Sequence, residues 1–465
     1  MKLLNISLSR TFQFCFITVF LLNLFGFAKV VFGVEPPVSN DVVYESKGRQ
    51  DILDEYSPDG LQVIQITTST KMTSHHVYPE RHKFTPDSKR FIFHRMPVNG
   101  TSTGDYWICD IEDNFSIRQI TEEKEIRGMA VSPCGKWMYY CIEDKKQSPE
   151  GVLKLKRLSL ENYKRETIYM LDGPIPGTNL KPSRVSLRSI SSDGKRLCAQ
   201  AFLGDGKTEN APFGILVFDL ERLSLELIFK ENFFSNMHLQ YSRSLDPIRK
   251  HDILVQHNHN WIVDNKGERI KKISDDSCDL HVIRDDGANW RDIPIGHDGK
   301  LFHHGHQQWR GRTGTVLTSV TNRANRRIGI FEGWPIATDK NSPHLGSGIP
   351  GGRLNDLCRN AEHTSFDHFS VDLSGMHVVA RNDRRFKDDD LTIYIGTISS
   401  GEYGYLKVQY LLNTKTDSSK RGWFRGQSDR PRPFFSPDAS MAFFHSNLDG
   451  LSQIYMVTGY EFPEF

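Results

Sequence analysis

Eighteen histidines stand in this 465-residue chain, and several recur in equivalent places. His75 and His76, His238, His306, and His363 with His368 each lie a short way ahead of a turn rich in Pro, Asp, Ser and Gly. Imidazoles that converge from successive units on an oxygen-rich ligand make a site for a divalent transition metal such as Mn²⁺. Any one of them alone is more simply a surface or strand-capping residue, and His303, His304 and His306 together also read as a metal-binding tract. Their shared position is what favours a site. Arginines occupy similar places: Arg184 and Arg188, Arg243, and Arg310 with Arg312. Guanidinium groups facing a cleft bind carboxylates bidentately, which points to an acidic ligand.

Other chemistries lack their residues. No Gly-x-Ser-x-Gly elbow, nucleotide-binding glycine loop or Cys-x-x-Cys zinc spacing occurs. The formal net charge is +2 with no long basic tract, so a nucleic-acid partner is not expected.

The elements that must position these side chains repeat. A turn followed by a short apolar strand occurs at Phe84-Thr85-Pro86-Asp87-Ser88, Val131-Ser132-Pro133-Cys134-Gly135 and Ile190-Ser191-Ser192-Asp193-Gly194. Looser copies lie at residues 241–247 and 309–314, and the series ends with Val371-Asp372-Leu373-Ser374-Gly375 and Phe435-Ser436-Pro437-Asp438-Ala439. Pro presets φ, Asp caps the turn and Gly supplies positive φ before a hairpin strand. Seven such units, each long enough for four strands, predict an all-β, seven-bladed β-propeller over residues 56–465. An open array of small β domains is the alternative. An extra strand at residues 61–66 and the terminal strand at 453–457 are expected to pair and close the ring.

Lys2 and Arg10 precede an apolar run at residues 12–27, so residues 1–33 read as a signal peptide or, uncleaved, a signal anchor; residues 34–55 read as a linker. Either reading puts the rest of the chain in the periplasm, outside the cell or on the outer side of a membrane, with the membrane touched only through a retained anchor. Beyond the signal, six cysteines are left to form disulfides or remain buried thiols. Asn99-Gly100-Thr101 and Asn114-Phe115-Ser116 fit the N-glycosylation pattern.

At Ser74-His75-His76-Val77-Tyr78, Met237-His238-Leu239-Gln240-Tyr241 and above all Gly305-His306-Gln307-Gln308-Trp309, the sequence resembles the oligogalacturonate lyase family. These are seven-bladed propellers that cleave short pectin fragments using Mn²⁺. The resemblance implies His306 as a metal ligand. It also matches His368 to the last histidine of the family's Gln-x-x-His-x-His segment and His363 to its glutamine, with Phe366 in place of the middle histidine. It further implies β-elimination on an acidic oligosaccharide. His238 is then the candidate base with His257 behind it, and Arg184, Arg188, Arg243, His75 and His76 bind substrate. Two other readings stay open: a glycan- or protein-binding propeller that has lost the site, and a lyase for another uronic-acid glycan.

Overall fold

The computed structural model describes residues 33–465 except 79–81, 99–103, 124–125, 145–150, 274–277, 296–300, 323–327, 338–350, 361–364, 383–390, 402 and 418–430. The apolar run at 12–27, His363 and the Asn99 acceptor lie outside the described residues. Among those described, no helix is long and apolar enough to cross a membrane.

Seven antiparallel sheets form the seven blades of an all-β propeller. Blade 1 runs outward from Met72–His76 through Arg90–Pro97 and Asp105–Asp110 to Ser116–Gln119, and blades 2, 3, 5 and 6 repeat this order. Blade 4 pairs Gln240–Tyr241, Asp252–Asn258, Cys278–Arg284 and Arg291–Asp292, and inserts a two-stranded hairpin, Trp261–Val263 with Arg269–Lys272. Blade 7 takes its three inner strands from the C-terminus and its next strand, Gln62–Gln65, from the N-terminal side. Val63 pairs with Val457 and Gln65 with Tyr455, so the expected closure of the ring is present.

Each repeated turn joins the first strand of its blade to the second, and its chemistry is local. Thr85, Ser191 and Ser436 donate their hydroxyls to Asp87, Asp193 and Asp438 at 2.6, 2.7 and 2.6 Å, and the same carboxylates accept backbone N–H groups. Neighbouring turns also touch. A Cβ on Gly135 (φ +70°) would stand 2.7 Å from Pro86, so glycine here meets both a positive φ and a close approach.

Strand alternation sends side chains to the two neighbouring blades in turn, so the core is divided into seven wedges rather than gathered at the axis. Phe91 and Phe93 pack with Phe434, Phe443, Ile454 and Met456 of blade 7, while Ile92 between them packs with Met138 and Tyr140 of blade 2. Ile253 and Val255 face blade 3, and Leu254 faces blade 5. All six cysteines in the propeller are free thiols; five are buried and Cys134 is exposed.

Residues 34–55, expected as a linker, instead rim the ring. Val34–Glu35 adds to the outer strand of blade 2, Val43 bridges Ile117 on blade 1, and Lys47–Gly48 pairs with Gln62–Gln65. Outer strands present unpaired backbone edges, and this segment covers three of them.

Ile454 lies fully buried between the last blade and the first, on the strand that closes the ring. Ile454→Ala is expected to cost about 2–5 kcal/mol in urea denaturation; a loss within error would show that the closing wedge contributes little.

Candidate functional site

In each blade the first strand starts beside the end of the second, as Met72 does beside Pro97. Residues early in the innermost strands therefore ring the mouth opposite the repeated turns. His304, His306 and His368 lie within such strands, His75 and His76 end that of blade 1, and His238 stands two residues ahead of that of blade 4.

Two irregular strands aim the central pair. In Leu301–Trp309, His303 pairs with Val320 but Gln307 pairs with Thr318, so residues 304–306 bulge from the ladder. Gly305 turns this bulge at φ +94°, and a Cβ there would meet nothing within 4 Å; backbone conformation rather than space calls for glycine. In Phe366–Val371 the pairing skips Asp367. The two bulges bring the rings of His306 and His368 into contact, with centroids 3.6 Å apart, and His304 stands 5.6 Å from His306.

The residues after His306 lock it in place. Gln307 O accepts from Gln240 Nε2 at 2.9 Å, and Trp309 Nε1 donates to Gln240 O at 3.0 Å. Gln308 donates to Phe369 O and accepts from Val371 N, both at 3.3 Å. This segment thus fastens blade 5 to blades 4 and 6. Behind His368, Asp367 and Arg381 form a buried two-pronged ion pair, and Arg381 also donates to Pro431 O. His368 Nδ1 lies 3.2 Å from Asp367 Oδ1 and 3.0 Å from Arg381 Nη2.

Burial opposes ionisation of Asp367, but Arg381 and then His368 hold its carboxyl well below the usual range. Burial pushes His368 down to about 3, and burial together with His368 pushes His306 well below the ordinary imidazole value. Both rings are therefore neutral. When His368 donates Nδ1–H to Asp367, its Nε2 lone pair is available to a cation. His306 Nδ1 similarly lies near Ser319 Oγ, at 3.4 Å. Two contacting neutral imidazoles, one of them backed by a carboxylate, fit a divalent transition metal.

The other expected residues divide. His75 and His76 are buried beside His445, at 5.6 and 5.0 Å between ring centroids. His238 takes a left-handed backbone (φ 42°) and meets Tyr78 at 5.0 Å. Arg432, missed by sequence reasoning, lies 5.2 Å over the Tyr78 ring and depresses His75, His76 and His368 alike. It lies two residues before the innermost strand of blade 7 and a short way ahead of that blade's repeated turn, the position that singled out the histidines.

Arg184, Arg188 and Arg243 lie in three different surroundings. Arg188 is half-buried on the innermost strand of blade 3. Arg184 pairs instead with Glu268 of the blade 4 hairpin, which competes for its guanidinium. Arg243 lies at the turn end, 3.4 Å from Val371 O, in a cavity of about 210 Å³ shared with His82, Lys83 and Arg312. His257, on the second strand of blade 4, groups with Asp279 and His281 of the third strand rather than with His238. Phe366 is fully buried in the wedge between blades 5 and 6 and does not line the mouth.

No family model and no curated relative matches the chain. Among solved structures it is similar to an oligogalacturonate lyase in complex with manganese, at 16% identity and a TM-score of 0.62, over 92% of this chain and 98% of that one. An oligogalacturonate lyase from Vibrio parahaemolyticus is similar at 16% identity and a TM-score of 0.64, over 92% and 99%. At this identity the likeness is one of fold, and the resemblance noted at His306 stands beside it.

His75, His82 and His303 are each held at about 3 in the folded protein by burial, against 6.5 ordinarily. A depressed folded pKa means that the unfolded chain takes up protons first as pH falls. Stability is thus complete above about pH 6.5 and drains away between there and about pH 3. The urea midpoint is expected to fall steadily from pH 7.5 to 4.5; a flat profile would show these rings already protonated or solvated at neutral pH.

Proposed function

We propose that the mouth binds short uronate oligomers of the oligogalacturonide type and cleaves them by β-elimination, with a divalent metal such as Mn²⁺ held at His306 and His368 and with His363 as a further ligand. The observation that carries the reading is the ring contact between the two neutral histidines, made by paired bulges on adjacent blades. A metal bound there supplies electrostatic stabilisation of the charge that grows on the uronate carboxylate as the neighbouring proton leaves.

The chain's own residues do the rest. Arg432, between Tyr78 and the histidines of blades 1 and 6, is placed to take a substrate carboxylate, with Arg188 serving a neighbouring sugar. A ring nitrogen of His238 accepts the proton from carbon 5. The C–H electron pair then forms the double bond to carbon 4 as the bond to the bridging oxygen breaks; that oxygen takes a proton from water, and the protonated His238 returns its own to solvent. His257, pushed down to about 4 by burial and its histidine neighbours, is too weak a base for this step near neutral pH. Residues 1–33 would deliver the propeller across a membrane as a signal peptide or anchor, where pectin fragments are met.

The test is ultraviolet absorbance of the unsaturated product from di- and trigalacturonate, with and without Mn²⁺. Metal-dependent product is expected, with His238→Ala about 10²–10⁴-fold slower and still folded, and with His306→Ala losing its response to metal. No product from folded, metal-loaded protein over a panel of uronate oligomers would favour the binding propeller, the reading supported by Phe366 standing where the family segment has its middle histidine.

A further inference from the structure

A second group of histidines, on blade 4, is unused by the chemistry above. Cross-strand register assembles it. His257 pairs with Asp279, while His281 lies opposite Val255 on one side and Asp292 on the other. Residues 257, 279, 281 and 292 thus leave the same face of the sheet. That face sends Ile253, Val255 and Ile283 into the wedge shared with blade 3, and toward the strand ends its apolar side chains give way to imidazole and carboxylate. One ligand atom from each of His257, Asp279 and His281 lies within 4.8 Å of the other two. Donors on a transition-metal ion, with bonds of about 2.0–2.2 Å, stand about 3–4 Å apart, so small side-chain adjustments close the site.

Two further observations point to a ligand. Aromatic rings back both imidazoles: Phe234 stacks on His257 at 4.1 Å, and Trp290 lies against His281 at 4.4 Å. The ring planes are held while the nitrogens stay directed away from the stack. Asp292 Oδ1 lies 2.7 Å from His281 Nδ1, whereas Nε2 of the same ring, on a residue only 6% exposed, is buried with no hydrogen-bond partner. An unsatisfied buried polar atom costs about 1–3 kcal/mol. A cation that accepts the Nε2 lone pair removes that cost, and a carboxylate on the opposite nitrogen is the usual support for a metal-bound histidine.

We infer that blade 4 binds one divalent transition-metal ion through His257, Asp279 and His281, with Asp292 orienting His281, as a site separate from the His306–His368 pair. Two imidazoles and one carboxylate suit Zn²⁺, Co²⁺ or Mn²⁺ over Ca²⁺ and Mg²⁺, which favour all-oxygen surroundings. Three protein donors leave coordination positions for water or for an oxygen of a bound molecule.

The experiment titrates Co²⁺ into chelator-stripped His306→Ala/His368→Ala protein, so that blade 4 is read without the mouth pair, and follows visible absorption and metal content. One Co²⁺ per chain with a ligand-field band is expected, and both are lost when His281→Ala or Asp279→Asn is added. Asp292→Asn should retain the band and weaken binding about 10–100-fold. Absence of Co²⁺ from the folded double variant overturns the inference, as does binding that survives His281→Ala. Should the double variant not fold, the wild-type chain serves: His281→Ala must lower its metal content by one ion, and unchanged content overturns the site.

Discussion

The ladder between Gln62–Gln65 and Gln453–Thr458 is the contact on which the rest depends. A propeller without an axial core is stabilised wedge by wedge, and each wedge needs two blades. Opening this ladder detaches the N-terminal strand from blade 7 and strips Leu61 and Val63 from the wedge with blade 6. Arg49 fastens the seam: its Nη1 donates to Gln65 Oε1 at 2.6 Å, Asp449 Oδ2 at 2.8 Å and Tyr455 Oη at 3.3 Å. The seam also decides the mouth, because His75 and His76 come from blade 1, Arg432 precedes blade 7 and His368 comes from blade 6. They face one another only in a closed ring.

Within that ring, chemistry is concentrated where the innermost strands leave regular pairing. A regular strand would place residues 304–306 alternately in the two neighbouring wedges; the bulge turned at Gly305 releases them into the channel. Asp367 is displaced likewise, and its charge is kept in the interior by Arg381. Buried ion pairs of this kind add little net stability, since desolvation offsets most of the attraction. Their consequence here is geometric: one arginine holds the carboxylate behind His368 and ties blade 6 to Pro431 ahead of blade 7.

Legibility in the sequence followed the range of the interactions. The repeated turns could be read because Pro, Asp, Ser and Gly act within a few residues, and seven copies plus one surplus strand imply a closed ring. The meeting of His306 and His368 was also accessible, since equivalent positions in successive units face the same axis. The arginines show where that rule stops. Arg243 lies only five residues after His238, yet the strand between them carries it to the turn end of the channel. Arg184 precedes the same turn as Arg188, but Glu268 of an inserted hairpin captures it. Arg432 met the rule and was overlooked. The alliance of His257 with His281 rests on pairing across the insertion that separates two strands of blade 4, which no local spacing reveals.

That insertion supports the cluster on blade 4. Its turn rests on blade 3: a Cβ on Gly267 would stand 2.8 Å from the Phe202 ring, and Asn210 N donates to Val263 O at 3.1 Å. Arg269 spans back from the hairpin to Ser235 at 3.4 Å, beside the strand end that carries His257. The hairpin therefore braces the rim of the wedge on which His257, Asp279 and His281 stand, and its Val263 joins the apolar layer beneath. Wedge cores and rim residues are under separate constraints, the first by volume and alternation, the second by donor chemistry. A propeller can accordingly keep its seven blades at 16% identity to other members of its fold, while its rim acquires donors on a blade away from the axial pair.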